Sequence, residues 1–441
     1  MKDDFLAEPA SLVDVLARRA AETPQAKAFV FAPDRGAHIH LTFAELHRRS
    51  HALALRLVQC TTPGDRAVFL FPAGLDFILA YFGCLAAGVV PVPLMVPRRT
   101  EARDSSAAVI ADCTPRLAMT SGELLDGRPD VVAKLSGAGF EWMTVRAMED
   151  SPEQPEARLP VIGRDHLALL QYTSGSTSTP KGVMVTHGNL LVNLAMIRRG
   201  MGSTALSASV GWVPLYHDMG LMMGVMQPLY LGATSVLMAP AAFMQRPLSW
   251  LHLIHQYRAE VTSAPNFAFD LCVDRFRAGQ MEGVDLSCWK IAMNAAEPVH
   301  AETIARFAAT FAPYGFAPGA MYPAYGLAEA TLLVTGNERG AGPRFRTVGN
   351  VAKDDTQVLV SCGRALQDLR VAIVDPSTRR RCPPCDIGEI WVSGPNVARG
   401  YWRNPTATAE TFQARIADEP EDCWLRTGDL GFLDEDNELY V

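Results

Sequence analysis

The stretch Tyr172-Thr-Ser-Gly-Ser-Thr-Ser-Thr-Pro-Lys-Gly182 places six hydroxyls and one glycine in residues 173–179, with Lys181 close behind. Small side chains let backbone N–H groups turn inward around an anion, and a lysine adds a point charge. The spacing departs from the nucleoside-triphosphatase pattern G-x-x-x-x-G-K-[ST], because Gly182 and then Val183 follow Lys181. A Ser/Thr/Gly run can be a flexible linker. Here an apolar segment, 167–172, enters the run, and Val183-Met-Val-Thr-His-Gly-Asn-Leu190 leaves it. A loop fixed at both ends is poor linker material, so phosphate binding is the expected chemistry. No G-x-S-x-G turn supports a hydrolase, and no G-x-G-x-x-G opening a helix after an early strand supports a dinucleotide oxidoreductase.

Regular elements must hold such a loop. Ser11-x-x-Asp14 and Thr42-x-x-Glu45 read as capping boxes, in which hydroxyl and carboxylate each satisfy a helix-start amide. Residues 66–71 read as a buried strand, 75–85 as a helix and 89–92 as a strand. That alternation predicts a parallel sheet covered by helices. Further strands are expected at 167–172, 235–238, 260–263 and 290–294. From about residue 358 short strands dominate, at 369–374, 388–392 and 438–441. The fold class expected is α/β: two doubly wound sheet subdomains with covering helices over 1–357, then a smaller strand-rich β-barrel subdomain over 358–441. Residues 151–160 look most like a linker.

The chain has 441 residues, a net charge of −7 and 49% hydrophobic residues, which excludes a disordered or low-complexity scaffold. A mildly acidic chain without a long basic run is a poor nucleic-acid binder, so none is expected as a partner. Residues 77–97 carry no charge, and neither do 220–245. Gly83, Gly88, Pro91 and Pro93 interrupt the first run; Gln227, Pro228, Gly232, Thr234 and Ser235 interrupt the second. Both are expected to be buried helix and strand rather than a membrane span. The nine cysteines are scattered except Cys382 and Cys385, which lack a second ligand pair at zinc spacing. With no secretory pattern at the start, a cytoplasmic protein with reduced thiols is expected.

The 172–182 loop resembles the signature loop of the adenylate-forming enzymes: acyl-CoA synthetases, luciferases and peptide-synthetase adenylation domains. Tyr322-Pro-Ala-Tyr-Gly-Leu-Ala-Glu329 and Trp424-Leu-Arg-Thr-Gly-Asp-Leu-Gly431 resemble that superfamily's other signatures and come in its order. Within it the chain is most similar to the fatty acyl-AMP ligases. The residues concerned are Phe82-Gly-Cys-Leu-Ala-Ala-Gly-Val-Val-Pro-Val-Pro93, Tyr216-His-Asp-Met-Gly-Leu221, Ser263-Ala-Pro-Asn-Phe-Ala-Phe269, Asn294-Ala-Ala-Glu-Pro-Val299 and Val360-Ser-Cys-Gly363. The resemblance spans essentially the whole chain.

It implies attack of a fatty carboxylate on the α-phosphorus of ATP, giving acyl-AMP and pyrophosphate. A carboxylate of pKa about 4.3 is already ionised and needs no general base. Positioning and positive charge must carry the reaction. By the resemblance, Thr173, Ser174, Gly175, Ser176, Thr177 and Lys181 would grip the phosphates. Glu329, with Thr177, would hold Mg²⁺. Tyr325 and Gly326, with the backbone around Asn294, Ala295, Ala296 and Glu297, would border the adenine, and Asp429 would take the ribose hydroxyls. His217, oriented by Asp218, would sit near the α-phosphate or the acyl carboxylate, so Lys181, His217 and Glu329 are the expected catalytic set. Met219, Gly220, Leu221, Met222, Met223, Met226 and Phe267 would either line an apolar acyl slot or belong to the core.

The partners implied are a fatty acid and an acyl carrier protein, free or fused downstream. Two departures from the family pattern stand out. The chain stops at Val441, where a hinge and a small mobile domain with a catalytic lysine are expected, so slow adenylation is predicted for this piece. The insertion that separates these ligases from acyl-CoA synthetases is expected within 334–359, with Gly340, Gly342, Pro343 and Lys353-Asp-Asp355, and is short there. An acyl-CoA synthetase and a non-catalytic nucleotide- or lipid-binding module are the competing readings.

Overall fold

The computed structural model describes residues 9–97, 105–135, 139–146, 157–173, 180–350 and 355–441, the side chains of residues 350 and 355 excepted. Contacts divide the chain into two units: Met1–Phe29, His40–Val192 and Tyr401–Arg403 form one, and Val30–Ile39, Asn193–Gly400 and Asn404–Val441 the other.

In the first unit, both expected capping boxes form. The Ser11 hydroxyl accepts from Asp14 N while Asp14 accepts from Ser11 N, opening the helix Leu12–Glu22. Thr42 and Glu45 do the same for Phe43–Leu57. The uncharged run at 77–97 resolves into the buried helix Asp76–Ala87 and the buried strand Val90–Pro93. Gly88, at φ 74°, ends that helix in the left-handed conformation open to glycine. Among the described residues no helix is long and apolar enough to cross a membrane. Strands Val90–Pro93, Arg66–Leu70, Leu117–Thr120 and Glu141–Thr144 lie side by side in that order, all parallel. A separate antiparallel ribbon, Leu167–Thr173 with Lys181–Thr186, carries the hydroxyl-rich loop between its arms.

The second unit is built on a mixed sheet. Strands Ser235–Met238, Ser209–Gly211, Val261–Ala264, Ile291–Asn294 and Met321–Gly326 are successive parallel neighbours. Leu333–Gly336 then turns back antiparallel, followed by Arg364–Ala365. Helices Leu248–Tyr257, Asn266–Asp274 and Ala301–Phe311 bring Trp250, Phe269, Phe307 and Phe311 into one apolar core with Trp289 and Phe316. Most of these rings meet edge to face at 5–6 Å, the arrangement that aromatic quadrupoles favour. The strand-rich region is an antiparallel sheet of Arg370–Val374, Gly388–Ser393, Glu419–Leu433 and Ala414–Ile416, with Leu439–Tyr440 on the long strand. The stretch expected to hold the insertion forms the hairpin Phe345–Asn350 with Asp355–Val360. Lys353 and the tip of that hairpin lie outside the described residues, as does most of the linker expected at 151–160.

Candidate functional site

In the first unit the ribbon fixes the ends of the hydroxyl-rich loop. Thr173 pairs across the ladder with Lys181, and Tyr172 with Gly182. Gly182 has a steric reason to be glycine: a Cβ there would approach the Tyr172 ring to 2.8 Å. The Tyr172 hydroxyl donates to Asp112, and burial together with that carboxylate pushes the phenol well above its ordinary value. Trp402 N donates to Gly182 O at 2.7 Å, bringing Tyr401 beside the ribbon. The Lys181 ammonium stands 5.0 Å above the Tyr401 ring, a cation–π contact that steers the side chain without neutralising it. Tyr401 carries no signal in the sequence motifs. Ser174, Gly175, Ser176 and Thr177 lie outside the described residues.

In the second unit the remaining candidates gather at one edge of the sheet. Parallel strands 209–211, 261–264, 291–294 and 321–326 all end on the same side. At or beyond their carboxyl ends come His217, Phe267, the segment Asn294–Glu297, and Tyr325–Glu329, in the order of the strands they follow. The crevice past the carboxyl ends of strands is where open α/β sheets bind their ligands.

Asn294, fully buried, sits opposite Pro323 in the neighbouring strand. Its Nδ2 donates to Asn266 Oδ1 at 3.1 Å, and Asn266 Oδ1 also accepts from His300 N. Asn266 Nδ2 donates to Thr303, whose hydroxyl donates to Asp270. This buried chain anchors the strand end through Asn294 Nδ2, leaves Asn294 Oδ1 without a protein partner among the described residues, and is followed by buried Ala295 and exposed Ala296 and Glu297. Ala296 adopts φ 71°, a left-handed conformation that costs a non-glycine residue about 1 kcal/mol or more. Glu297 Oε1 accepts from Phe267 N at 2.6 Å, capping the helix Asn266–Asp274 from outside it.

Tyr325 is buried, and its hydroxyl donates to Asp429 Oδ2 at 2.7 Å. Burial, and then the Asp429 charge, hold that phenol far above its ordinary value, so it remains a donor. Asp429 is exposed, and its backbone N donates to the Thr427 hydroxyl at 3.1 Å. Gly326 lies so close to the Leu332 carbonyl that a Cβ would collide with it. Glu329, half-buried, rides the short turn Ala328–Ala330. Its backbone O accepts from Ala398 N at 2.8 Å, and buried Asn396 binds the turn through Ala330 O and Thr331 Oγ1. Thr331 also has a left-handed φ, 69°.

His217 stands at the N-cap position of the helix Asp218–Leu221, where Met219 N lies 2.7 Å from Asp218 Oδ1 and 3.3 Å from His217 Nδ1. Its Nδ1 lies 2.8 Å from Asp218 Oδ1, and this contact raises the imidazole above its ordinary value against the opposing effect of burial. The shorter, charge-assisted contact assigns a proton to Nδ1 and leaves Nε2 for another partner. Met219, Leu221, Met222 and Met223 are buried beyond it, and Met222–Met226 winds as a π-helix. Gly220 is packed so tightly on the Pro214 carbonyl that no side chain fits. Of these candidates, Gly220 and Met223 line a cavity, whereas Phe267 is 41% exposed and packs edge-on against Trp212.

Residues 16–402 match the model of the family described as AMP-binding enzyme. The chain is 40% identical to the medium-chain-fatty-acid–[acyl-carrier-protein] ligase JamA of Moorena producens, over 98% of this chain and 76% of that protein. It is 37% identical to the long-chain-fatty-acid–AMP ligase FadD26 of Mycobacterium bovis, over 98% of this chain and 78% of that one. It also superimposes with a TM-score of 0.91 on the crystal structure of a fatty acyl-adenylate ligase from L. pneumophila in complex with acyl adenylate and pyrophosphate. That likeness has 38% identity and covers 100% of this chain and 78% of the other.

Proposed function

The chain belongs to the AMP-binding enzymes and, among them, to the fatty acyl-AMP ligases, and from that premise we propose how its residues activate a fatty acid. The reaction joins a carboxylate oxygen to the α-phosphorus of ATP and breaks the bond from that phosphorus to the bridging oxygen, so pyrophosphate leaves and acyl-AMP remains. The observation that carries this reading is the alignment of His217, Asn294–Glu297, Tyr325 and Glu329 along one carboxyl edge of the parallel sheet.

On this reading Thr173–Thr177 and Lys181 bind the phosphates, and Lys181 offsets the repulsion between two anions. The Ala295–Glu297 backbone, Tyr325 and Gly326 border the adenine. Asp429 accepts from the ribose with the oxygen that Tyr325 does not use. His217, with its proton on Nδ1 and a raised pKa, presents positive charge to the meeting anions. The half-buried Glu329 carboxylate suits a hard ion that takes oxygen ligands and keeps some of its water. Mg²⁺ held there would supply charge neutralisation of the phosphates.

The acceptor is the phosphopantetheine thiol of an acyl carrier protein, and the work is done in the cytoplasm. The test is to supply ATP, Mg²⁺ and dodecanoate, detect the adenylate by mass spectrometry, and then offer holo-carrier protein or coenzyme A. Adenylate followed by thioester on the carrier protein alone is the expected result. Acyl-CoA formed at a comparable rate would instead establish an acyl-CoA synthetase.

A further inference from the structure

In the second unit, beside the end of the strand Ser235–Met238, opens a cleft of about 670 Å³ that shares no lining residue with the reaction site. Small-molecule sites occupy about 300–1,000 Å³, so the size is that of a ligand. The floor is apolar: Ala32, Met238, Ala242, Leu248 and Leu253 belong to the unit's core, each with 5–8% of its surface exposed. Leu248, Ser249, His252 and Leu253 share one side of the helix Leu248–Tyr257, as their spacing requires. The rim is basic. Arg246 is paired with Asp34, to whose carbonyl it also donates at 3.2 Å. His252 Nε2 donates to Gln280 O at 2.8 Å, and Gln280 N donates to Arg277 O at 2.9 Å. These bonds fasten the turn after the helix Asn266–Asp274 to the floor helix, and Arg275 and Arg277 ride on that turn. Among the described residues the Arg275 side chain has no hydrogen-bond or ion-pair partner, and that of Arg277 bonds only the carbonyl of Phe276. Three guanidinium groups thus stand against one carboxylate around the cleft, in a chain whose net charge is −7.

We propose that this cleft is a second lipid site, which holds a single-chain amphiphile with an anionic head, carboxylate or phosphate, apart from the reacting fatty acid. The apolar floor takes the chain, and Arg275 and Arg277 take the head. A guanidinium presents paired N–H groups in one plane, which match the edge of a carboxylate or phosphate. A neutral ligand would leave those charges uncompensated, and a cationic one would add to their repulsion. A small hydrophilic anion would leave the floor wet. The site is separate from the crevice. Ala242 is followed by Phe243, whose ring stacks on Trp212 at 3.9 Å, and Trp212 meets Phe267 edge-on at 5.9 Å. Three rings therefore line up between the cleft and the crevice. No residue expected at the phosphates or the adenine borders the cleft, so a fatty acid held there is not adenylated. The inference goes beyond the adenylation reading and does not need it.

The test is calorimetric titration with dodecanoate and, separately, dodecyl phosphate, with and without dodecanoyl sulfamoyl adenosine, a stable acyl-adenylate mimic that fills the reaction site. With the mimic bound, one amphiphile per chain still binds, and the tighter of the two identifies the head. Both arginines are exposed, so their replacement keeps the fold. Arg275→Gln/Arg277→Gln weakens this binding about tenfold or more, and Arg275→Lys/Arg277→Lys weakens it less. Octanoate binds at least about tenfold more weakly than dodecanoate, because four methylenes leave the floor. Dodecyltrimethylammonium does not bind. Absence of binding by both anions once the mimic is present would overturn the inference. So would an affinity unchanged in the Gln variant, chain lengths that bind alike, or a cation that binds as tightly as the anions. A mimic that fails to bind, with dodecanoate still sensitive to both arginines, overturns the adenylation reading and leaves this one standing.

Discussion

The Tyr325 hydroxyl and the Asp429 carboxylate, 104 residues apart in the chain, are joined by a 2.7 Å hydrogen bond. One belongs to the motif expected at the adenine, the other to the motif expected at the ribose. The bond makes them one rigid unit: a buried phenol holds an exposed carboxylate in a fixed orientation. Tyr325→Phe removes the bond and keeps the ring, so KM for ATP should rise about tenfold with little change in kcat, as expected for one hydrogen bond to a charged group. Steady-state kinetics at saturating fatty acid checks this. An unchanged KM would mean that Asp429 needs no such support.

Glu329 is held by its own backbone rather than by its carboxylate alone, since Ala398 N and Asn396 fasten the turn. Glu329→Gln should therefore leave the fold in place. We expect it to lower the pyrophosphate-exchange rate about a hundredfold and to raise the Mg²⁺ concentration needed for half-maximal rate. A Mg²⁺ titration that superimposes on that of the parent would remove Glu329 from the metal site.

His217 supplies a pH signature. Its pKa is raised above the ordinary 6.5, chiefly through the hydrogen bond to Asp218, so the imidazolium form is present at lower pH and is lost as pH rises through the raised value. The kcat/KM profile for ATP should fall on that alkaline side. In Asp218→Asn the fall should begin at lower pH, because the supporting charge is gone. In His217→Gln this limb should vanish. A limb that stays in place in Asp218→Asn would assign it to another group.

His187 affects stability rather than catalysis. It is buried, its Nδ1 accepts from Leu12 N at 3.2 Å, and burial pulls its pKa down to about 3. Above pH 6.5 the imidazole is neutral both folded and unfolded. As pH falls from 6.5 towards 3 the unfolded chain gains a proton that the folded chain refuses, so stability drops by at most about 1.4 kcal/mol per pH unit. His187→Asn keeps an acceptor without the titration. Its melting temperature should decline less than that of the parent over this range; parallel declines would contradict the assignment.

Much of this was legible in the residues because it is local. A hydroxyl three positions before a carboxylate sets a capping box whatever surrounds it, and both boxes form as read. Gly88 and the prolines after it break the uncharged run, and the chain turns there. The segments 263–269, 294–299 and 322–329 likewise fall at the ends of parallel strands, whereas 172–182 and 424–431 lie on antiparallel strands. What escaped are the residues whose meaning lies in a distant partner. Asn266 looks like any polar residue opening a helix, yet it ties Asn294, His300 and Thr303 together. Tyr401 acquires its place beside Lys181 only through the Trp402–Gly182 bond. Arg275 and Arg277 look like ordinary surface charges, and acquire their meaning only beside the apolar cleft they border.

The ladder that pairs Thr173 with Lys181 makes the two arms of the ribbon unequal to the loop between them in what they tolerate. Neighbouring residues of a strand point to opposite faces, so inserting or deleting one residue within either arm reverses every side chain beyond it, the lysine among them. Length changes confined to the tip leave that ammonium facing as before. Among distant members of this lineage, gaps should therefore collect at the tip, while both arms keep a constant count of residues.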